Sequence, residues 1–384
     1  MTQSLKIINI LGIRGIPAAH GGFETFAGHL APYLRDRGWT VNVYCQLEPD
    51  ANGSLQSDYE DDWQGIHRIH FGAKSTGSAG SIQFDWRCIW DASKRPGVNL
   101  VLGYNTAIFS ILLRLRGKPV VMNMDGVEWR RDKWSLPIKA WFYLNEFIGS
   151  NVATLPIADH PEIARHLRRH GCNRAKVIPY GSNKLENVSD TAVLSMGIVP
   201  NRYFVSIARI EPENSILEIV RAFSSTHRDT TLVVLGKFDD SNPYHRAVRS
   251  SASAQVKFVG AIYDQAIVSA LRVHALAYLH GHQVGGTNPS LVEALGAANA
   301  VVAHDNRFNR WVAGDSQFYF SDEQELSALF SSIEDGKLSI DAAKNAAIDR
   351  HSELFTLQTI HEQYEAVLLD QITAQEMTTS EAHP

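Results

Sequence analysis

The chain has 384 residues, with 36 Lys plus Arg against 41 Asp plus Glu and a formal charge of −5. With 44% hydrophobic and 20% charged residues it has the makeup of an ordered globular protein, which excludes general disorder, and its length calls for two cores at roughly 100–200 residues per domain. The small negative charge excludes the broad basic face that nonspecific nucleic-acid binding requires, so no nucleic-acid partner is expected.

Cys45, Cys88 and Cys172 are odd in number and widely spaced. They offer neither a disulfide framework nor a CxxC metal clip, and read as buried or incidental thiols of a reducing cytoplasm. The apolar stretch 5–13 is interrupted by Lys6 and Asn9 and reads as a first strand rather than a secretion signal. No run approaches the roughly 18 apolar residues of a spanning helix, so any membrane contact is expected to be peripheral.

In chain order, Val/Ile-rich runs at 6–11, 40–45, 65–71, 99–103, 119–123, 152–157 and 176–179 read as strands separated by helical-period segments. The clearest helix is 23–37, where Phe23, Phe26, Leu30 and Leu34 share a face and Gly38 supplies the stop. The acidic stretch 48–62 and the Gly/Ser-rich stretch 72–81 read as solvated connections. Between Gly181 and Pro200 the periodicity fades, and the rhythm then restarts with strands at 203–208, 232–235, 257–259, 275–279 and 300–303 and helices near 217–223, 265–273 and 289–296. The expected organisation is an N-terminal Rossmann-like domain 1–185, a linker 186–200, a second Rossmann-like domain 201–352, a closing helix 353–372 returning toward the first domain, and a disordered polar tail 373–384.

In an open α/β sheet, ligands bind beyond the C-terminal strand ends, so the loops leaving strands are the places to look. The loop 12–22 ends in Gly21-Gly22 before a helix, which admits a phosphate or sugar to the backbone, but its glycine spacing is not the dinucleotide fingerprint. Asp125 follows a strand beside Gly126, a position that presents a carboxylate for acid/base or hydroxyl-binding work or simply caps its loop. The most specific stretch runs from His280 through Val284-Gly285-Gly286-Thr287-Asn288-Pro289-Ser290-Leu291 to Glu293. Asn288 reads as N-cap and Pro289 as first helical residue, and the N–H groups of Ser290 and Leu291 are expected to hold a diphosphate while Glu293 reaches ribose. His280 and His282 lack a third ligand, so no metal is expected there. Arg209, just past a strand, can clamp a leaving diphosphate bidentately, with Lys237 assisting. Asp159-His160-Pro161-Glu162 reads as a helix cap, and the carboxylates at 58–62 and 239–240 as solvated or unpartnered. The mixed basic and aromatic segment from Trp129, Arg130, Arg131 and Lys133 to Trp141-Phe142-Tyr143 suits either an anionic membrane interface or an ordinary partly exposed helix.

These loops together resemble a GT-B glycosyltransferase of family 4, over roughly residues 5–370. Ile13-Arg14-Gly15-Ile16-Pro17, His20-Gly21-Gly22-Phe23-Glu24-Thr25, Asp125-Gly126-Val127-Glu128-Trp129 and Val284-Gly285-Gly286-Thr287-Asn288-Pro289-Ser290 look like the branch that contains bacterial rhamnosyltransferases of surface-polysaccharide assembly. The resemblance implies two Rossmann-like doubly wound domains facing a central cleft, the first on the acceptor side and the second binding the nucleotide sugar. It implies that Arg209 neutralises the donor diphosphate, that Glu293 holds ribose, and that Gly286, Thr287, Asn288, Ser290 and Leu291 line phosphates and sugar. Gly21 and Gly22 would close from the first domain, Ile262 and Tyr263 would meet the base, and Asp125 stands where many members carry a histidine near the reacting centre, with Glu24 a second catalytic candidate. Two positions depart from the family: Gly285 replaces the first of two glutamates and Asn214 replaces a lysine, a combination read as a deoxysugar donor.

The implied activity is metal-independent, retaining transfer of a sugar, rhamnose by preference, from a dTDP- or UDP-sugar, with no cofactor. The acceptor would be a hydroxyl of a glycan or polyprenyl-diphosphate-linked glycan, in the cytoplasm or at the inner face of the cell membrane. The competing expectations are an epimerase or phosphorylase of the same fold, an NAD-dependent dehydrogenase, disfavoured by the broken fingerprint, and a non-catalytic sugar-binding scaffold.

Overall fold

The computed structural model describes residues 5–18, 21–50, 52–75, 77–131 and 134–381. The chain forms two compact units, Met1–Ile178 with His361–Pro384, and Pro179–Ile360.

The first unit holds an eight-stranded sheet built from β1 (Ile7–Leu11), β2 (Thr40–Leu47), β3 (Tyr59–Trp63), β4 (Ile66–Gly72), β5 (Val98–Leu102), β6 (Val120–Asn123), β7 (Leu155–Ala158) and β8 (Lys176–Val177). Its order is β3-β4-β2-β1-β5-β6-β7-β8, parallel except that β3 runs antiparallel to β4. All five residues of β5 are buried, as expected of a central parallel strand covered on both faces. The helix Gly22–Asp36 buries Phe26, Ala27, Leu30, Ala31 and Leu34 on one side. It ends in a Schellman turn: Gly38 adopts positive φ, its N–H donates to the Arg35 carbonyl, and the Trp39 N–H donates to that of Leu34.

The second unit is a six-stranded, wholly parallel sheet of β9 (Tyr203–Ile207), β10 (Thr231–Leu235), β11 (Val256–Gly260), β12 (Ala277–His280), β13 (Val301–His304) and β14 (Phe318–Phe320), in the order β11-β10-β9-β12-β13-β14. Alternate residues feed two cores. Tyr203, Val205, Val233 and Leu235 pack on one face, and Phe204, Leu232 and Val234 on the other. Each such side chain removed from water contributes about 1.5–3 kcal/mol. Both units are therefore doubly wound α/β sheets, and each reverses strand order once, at β1|β5 and at β9|β12. The loops leaving those strands border the crevice such a sheet offers to a ligand.

Several expectations change. The acidic stretch 48–62 includes the edge strand β3, whose Asp61 lies between Arg68 and His70 (2.5 and 3.1 Å); paired charges on an edge strand keep it soluble without breaking the ladder. The Gly/Ser stretch 72–81 gives way at Gly77 to the helix Gly77–Ala92. Within the expected linker 186–200, the helix Thr191–Ser195 buries Val193, and Val193 and Ile198 join the second unit's core, so this segment is packed rather than connecting. The tail is not disordered over 373–381, because the helix Leu357–Glu381 runs through it and extending a nucleated helix costs little; residues 382–384 lie outside the described residues. Among the described residues, no helix is long and apolar enough to cross a membrane.

Candidate active site

In the second unit the loops after β9 and β12 are bound to each other. The Gln283 N–H donates to the Glu213 carbonyl (2.9 Å), the Gln283 amide to Ser215 Oγ (2.8 Å), and Ser215 Oγ to the Gly281 carbonyl (2.7 Å). A Cβ at Gly281 would stand 2.2 Å from the Asn214 carbonyl oxygen, so only glycine permits this approach. From the other side, the Asn306 and Asn309 amides donate to the His282 carbonyl (3.0 and 2.9 Å). These bonds from Ser215, Gln283 and Asn306 join residues 24 or more positions apart, so no local sequence pattern announces them.

Arg209 stands on this frame, about half exposed, its guanidinium held by Glu211 (3.1 Å) and Glu213 (3.3 Å) while its carbonyl accepts from Asn214 Nδ2 (2.8 Å). Two carboxylates thus pre-orient the cation without burying it. Asn214, at the usual lysine position, is buried and closes its own loop. Gly236 packs against the Ala208 carbonyl and Ile210, which brings the exposed Lys237 next to the Arg209 loop, where it makes no ion pair among the described residues. Ile262 is half-buried against the core and Tyr263 is 83% exposed.

The helix Pro289–Gly296 corrects the expected anion site. Asn288 caps it as read, but that cap takes the Ser290 N–H (2.9 Å), and the Leu291 N–H donates to the Asn288 carbonyl (3.1 Å). Pro289 has no N–H, so the helix start offers its dipole and not free donors at Ser290 and Leu291. The Leu291 side chain is buried, and Ser290 Oγ is engaged by Tyr278 Oη (2.7 Å), the Ile207 carbonyl (3.2 Å) and Arg272 (3.2 Å). Glu293, partly exposed, is ion-paired to the buried Arg272, which fixes its carboxylate. A Cβ at Gly285 would sit 2.3 Å from the Phe308 ring: the space a glutamate would need holds an aromatic side chain. Gly286 takes a positive φ that disfavours other residues, and Thr287 is buried. His280 and His282 stack at 5.7 Å instead of converging on a point, and burial beside His282 holds the His280 imidazole neutral.

In the first unit, Asp125 follows β6 in the left-handed region (φ 47°). Its N–H donates to Asn123 Oδ1 (2.9 Å), and Asn123 Nδ2 donates to Tyr364 Oη (2.9 Å) on the C-terminal helix. Tyr104 Oη donates to the Gly126 carbonyl (3.1 Å) and accepts from the Glu128 N–H (2.9 Å). Burial first, and the nearby Glu128 second, push the Asp125 carboxyl up to about 6. A second carboxyl that sequence reading missed is Asp85, which lines a cavity of about 60 Å³ with Gly12, Gly103, Thr106 and Ser110 beyond β1 and β5. Burial pushes it to about 6 against the hydrogen bond from Thr106 Oγ1 (2.8 Å).

Glu24 has a structural place: it is buried and accepts the Arg14 N–H (3.1 Å), tying the 12–18 loop to the helix start, and a Cβ at Gly21 would meet its carboxylate at 2.8 Å. Gly22 opens the helix. His20 and Lys133 lie outside the described residues. Arg131 pairs with Glu128 (3.1 Å), and Arg130 lies over the Trp129 ring at 5.2 Å.

Two doubly wound parallel sheets in one chain, each with its ligand loops at a strand-order switch, define the GT-B architecture. The sucrose-phosphate synthase of Thermosynechococcus elongatus shares it with a TM-score of 0.78 and 16% identity, over 96% of this chain and 100% of that one. Anabaena HepE in complex with UDP and glucose matches with a TM-score of 0.72 and 18% identity, over 95% and 100%. The UDP-forming alpha,alpha-trehalose-phosphate synthase of Burkholderia xenovorans in complex with glucose-6-phosphate matches with 0.71 and 13%, over 94% and 99%. No curated protein matches by sequence. Residues 5–183 match the family described as a domain of unknown function, DUF1972, and residues 198–349 match Glycosyl transferases group 1. The chain therefore carries a group 1, family 4 glycosyltransferase domain behind a DUF1972 domain on a GT-B fold.

Proposed function

We propose that the enzyme transfers a deoxysugar, rhamnose by preference, from a nucleoside-diphosphate donor to a hydroxyl of a glycan or polyprenyl-diphosphate-linked glycan in surface-polysaccharide assembly. The observation that carries the donor choice is Phe308 against Gly285. An apolar ring where a carboxylate would grip donor hydroxyls suits a deoxy position, because a sugar hydroxyl there loses water without gaining a partner. Arg209, pre-oriented by Glu211 and Glu213, stabilises charge on the departing diphosphate, and the dipole of the helix Pro289–Gly296 adds to it. Lys237 assists, the Gly285–Asn288 backbone lines the sugar, Glu293 meets ribose, and Ile262 and Tyr263 meet the base. The leaving phosphate takes the acceptor proton on the same face, and Asp125 orients the acceptor. A thymidine nucleotide is the first donor and a uridine nucleotide the second; the UDP in Anabaena HepE favours the latter.

Arg209→Ala should lower turnover by about 10²–10³-fold in a purified transfer assay, the usual cost of losing one preorganised donor at developing charge. Unchanged turnover would remove Arg209 from the mechanism. Acceptor-independent conversion of the donor, by inversion at a sugar carbon or by transfer of the sugar to inorganic phosphate, would instead support an epimerase or phosphorylase.

A further inference from the structure

We propose that Glu146, His166 and His170 form a structural divalent-metal site in the first unit, with Zn²⁺ as the cation its donors fit best. Glu146 Oε1 lies 2.6 Å from His166 Nε2 and 2.7 Å from His170 Nε2, and one ligand atom from each residue falls within a 4.8 Å cluster. The donors come from separate elements. Glu146 lies on the helix Leu136–Val152, whereas His166 and His170 are four positions apart on the helix Pro161–Leu167 and the turn Arg168–His170, a spacing that puts both imidazoles on one face. Two imidazoles and one carboxylate are the borderline donor set that Zn²⁺ takes with water in the fourth position.

The surroundings argue for a cation. Glu146 is 1% exposed, and the rings of Trp129, Tyr143 and Phe147 pack around the two histidines at 5.3–6.1 Å. A carboxylate in such a place is costly unless a positive charge meets it, and a divalent cation held by all three side chains would supply that charge. His166 Nδ1 is also buried without a hydrogen-bond partner among the described residues, so the histidines are not held by a complete network of their own. The second carboxylate oxygen already accepts from Trp129 Nε1 (3.0 Å), the kind of outer contact that fixes a ligand's orientation. Bonds of about 2.0–2.1 Å to one tetrahedral ion set donors about 3.3–3.4 Å apart, so each nitrogen–oxygen edge opens by roughly 0.7 Å, within reach of side-chain rotation.

The site takes no part in sugar transfer. Through Glu146 and Trp129 it braces the segment 125–131 that carries Asp125.

The test uses the full chain stripped with a chelator. Calorimetric titration should give one Zn²⁺ per chain and a higher Tm, and Co²⁺ in its place should give the visible ligand-field bands of a tetrahedral nitrogen/oxygen site. His170→Ala and Glu146→Gln should weaken Zn²⁺ at least about 100-fold, the upper end of what loss of an outer partner costs. His67→Ala, at the exposed His67–Glu60 pair, should leave binding unchanged. Where a variant fails to fold, the wild-type Co²⁺ spectrum decides. Absence of those bands, or Zn²⁺ binding equal in wild type and His170→Ala, overturns the proposal and leaves a hydrogen-bonded His–Glu–His bridge.

Discussion

Asp125 combines a left-handed backbone, a half-buried, desolvated carboxyl near Glu128 and a loop pinned by Asn123 and Tyr104. Its proton is held to about pH 6 in the fold, against 3.8 ordinarily. Between those values the unfolded chain is ionised while the folded chain is protonated, so this group's contribution to stability falls as pH rises through the window and stays low above it. Asp125→Asn should therefore raise Tm at pH 7.5 and match wild type below about pH 3.8, the reference carboxyl value; asparagine also tolerates the positive φ. If the ionised form orients the acceptor, wild-type turnover should rise through about pH 6, and the variant should lose that limb. Gly285 is the second informative residue. Gly285→Ala drives a methyl into the Phe308 ring and should cost about 1–3 kcal/mol, read as a lower denaturation midpoint. Phe308→Ala in the same chain should recover much of that loss, and additive effects would show that the two positions do not compete for space.

At the scale of elements, the helix Leu136–Val152 faces two ways. Asn145, Glu146, Gly149 and Ser150 are buried, whereas Leu136, Ile138, Tyr143, Leu144 and Phe147 are exposed. Leu136, Tyr143, Leu144 and Phe147 fall on one side of this helix at helical spacing, and with Arg130 nearby in sequence they support the peripheral membrane reading of this segment. Arg131 contributes less than its sequence position promised, because Glu128 neutralises it. Leu136→Ser with Leu144→Ser should abolish co-sedimentation with anionic vesicles while leaving the fold intact, as both side chains are exposed. Retained co-sedimentation would count against docking through this helix. The C-terminal helix illustrates a different use of an element: Tyr364 packs on Phe26 at 4.7 Å and bonds Asn123, so a segment more than 200 residues away supports the Asp125 loop.

At the scale of the whole molecule, the diphosphate site proposed for a −5 chain rests on local cations, Arg209 and Lys237, rather than on net charge. Thymidine diphosphate at 100 times its Kd should stabilise the native chain by about 2.7 kcal/mol, and uridine diphosphate should do less at equal concentration. A larger shift with uridine diphosphate would reverse the donor order proposed above.

The sequence by itself determined the two doubly wound sheets, because strand and helix periodicity and glycine stops are local and buried parallel strands read as apolar runs. It also located the Arg209, Asp125 and Gly285–Glu293 loops, which follow strands and carry recognisable residue patterns. It missed β3, masked by the paired charges of an edge strand, and β14, which has only three residues. Only the tertiary structure decided what those loops can offer. Asn288 consumes the donors that the helix start was expected to present, Phe308 fills the space beside Gly285, and Glu24 is bound to Arg14. It alone placed Asp85 at a cavity and Glu146 with His166 and His170. The physical reason is common to all of these: hydrogen-bond saturation, desolvation and excluded volume depend on which distant residues meet, and packing, not local sequence, sets those meetings.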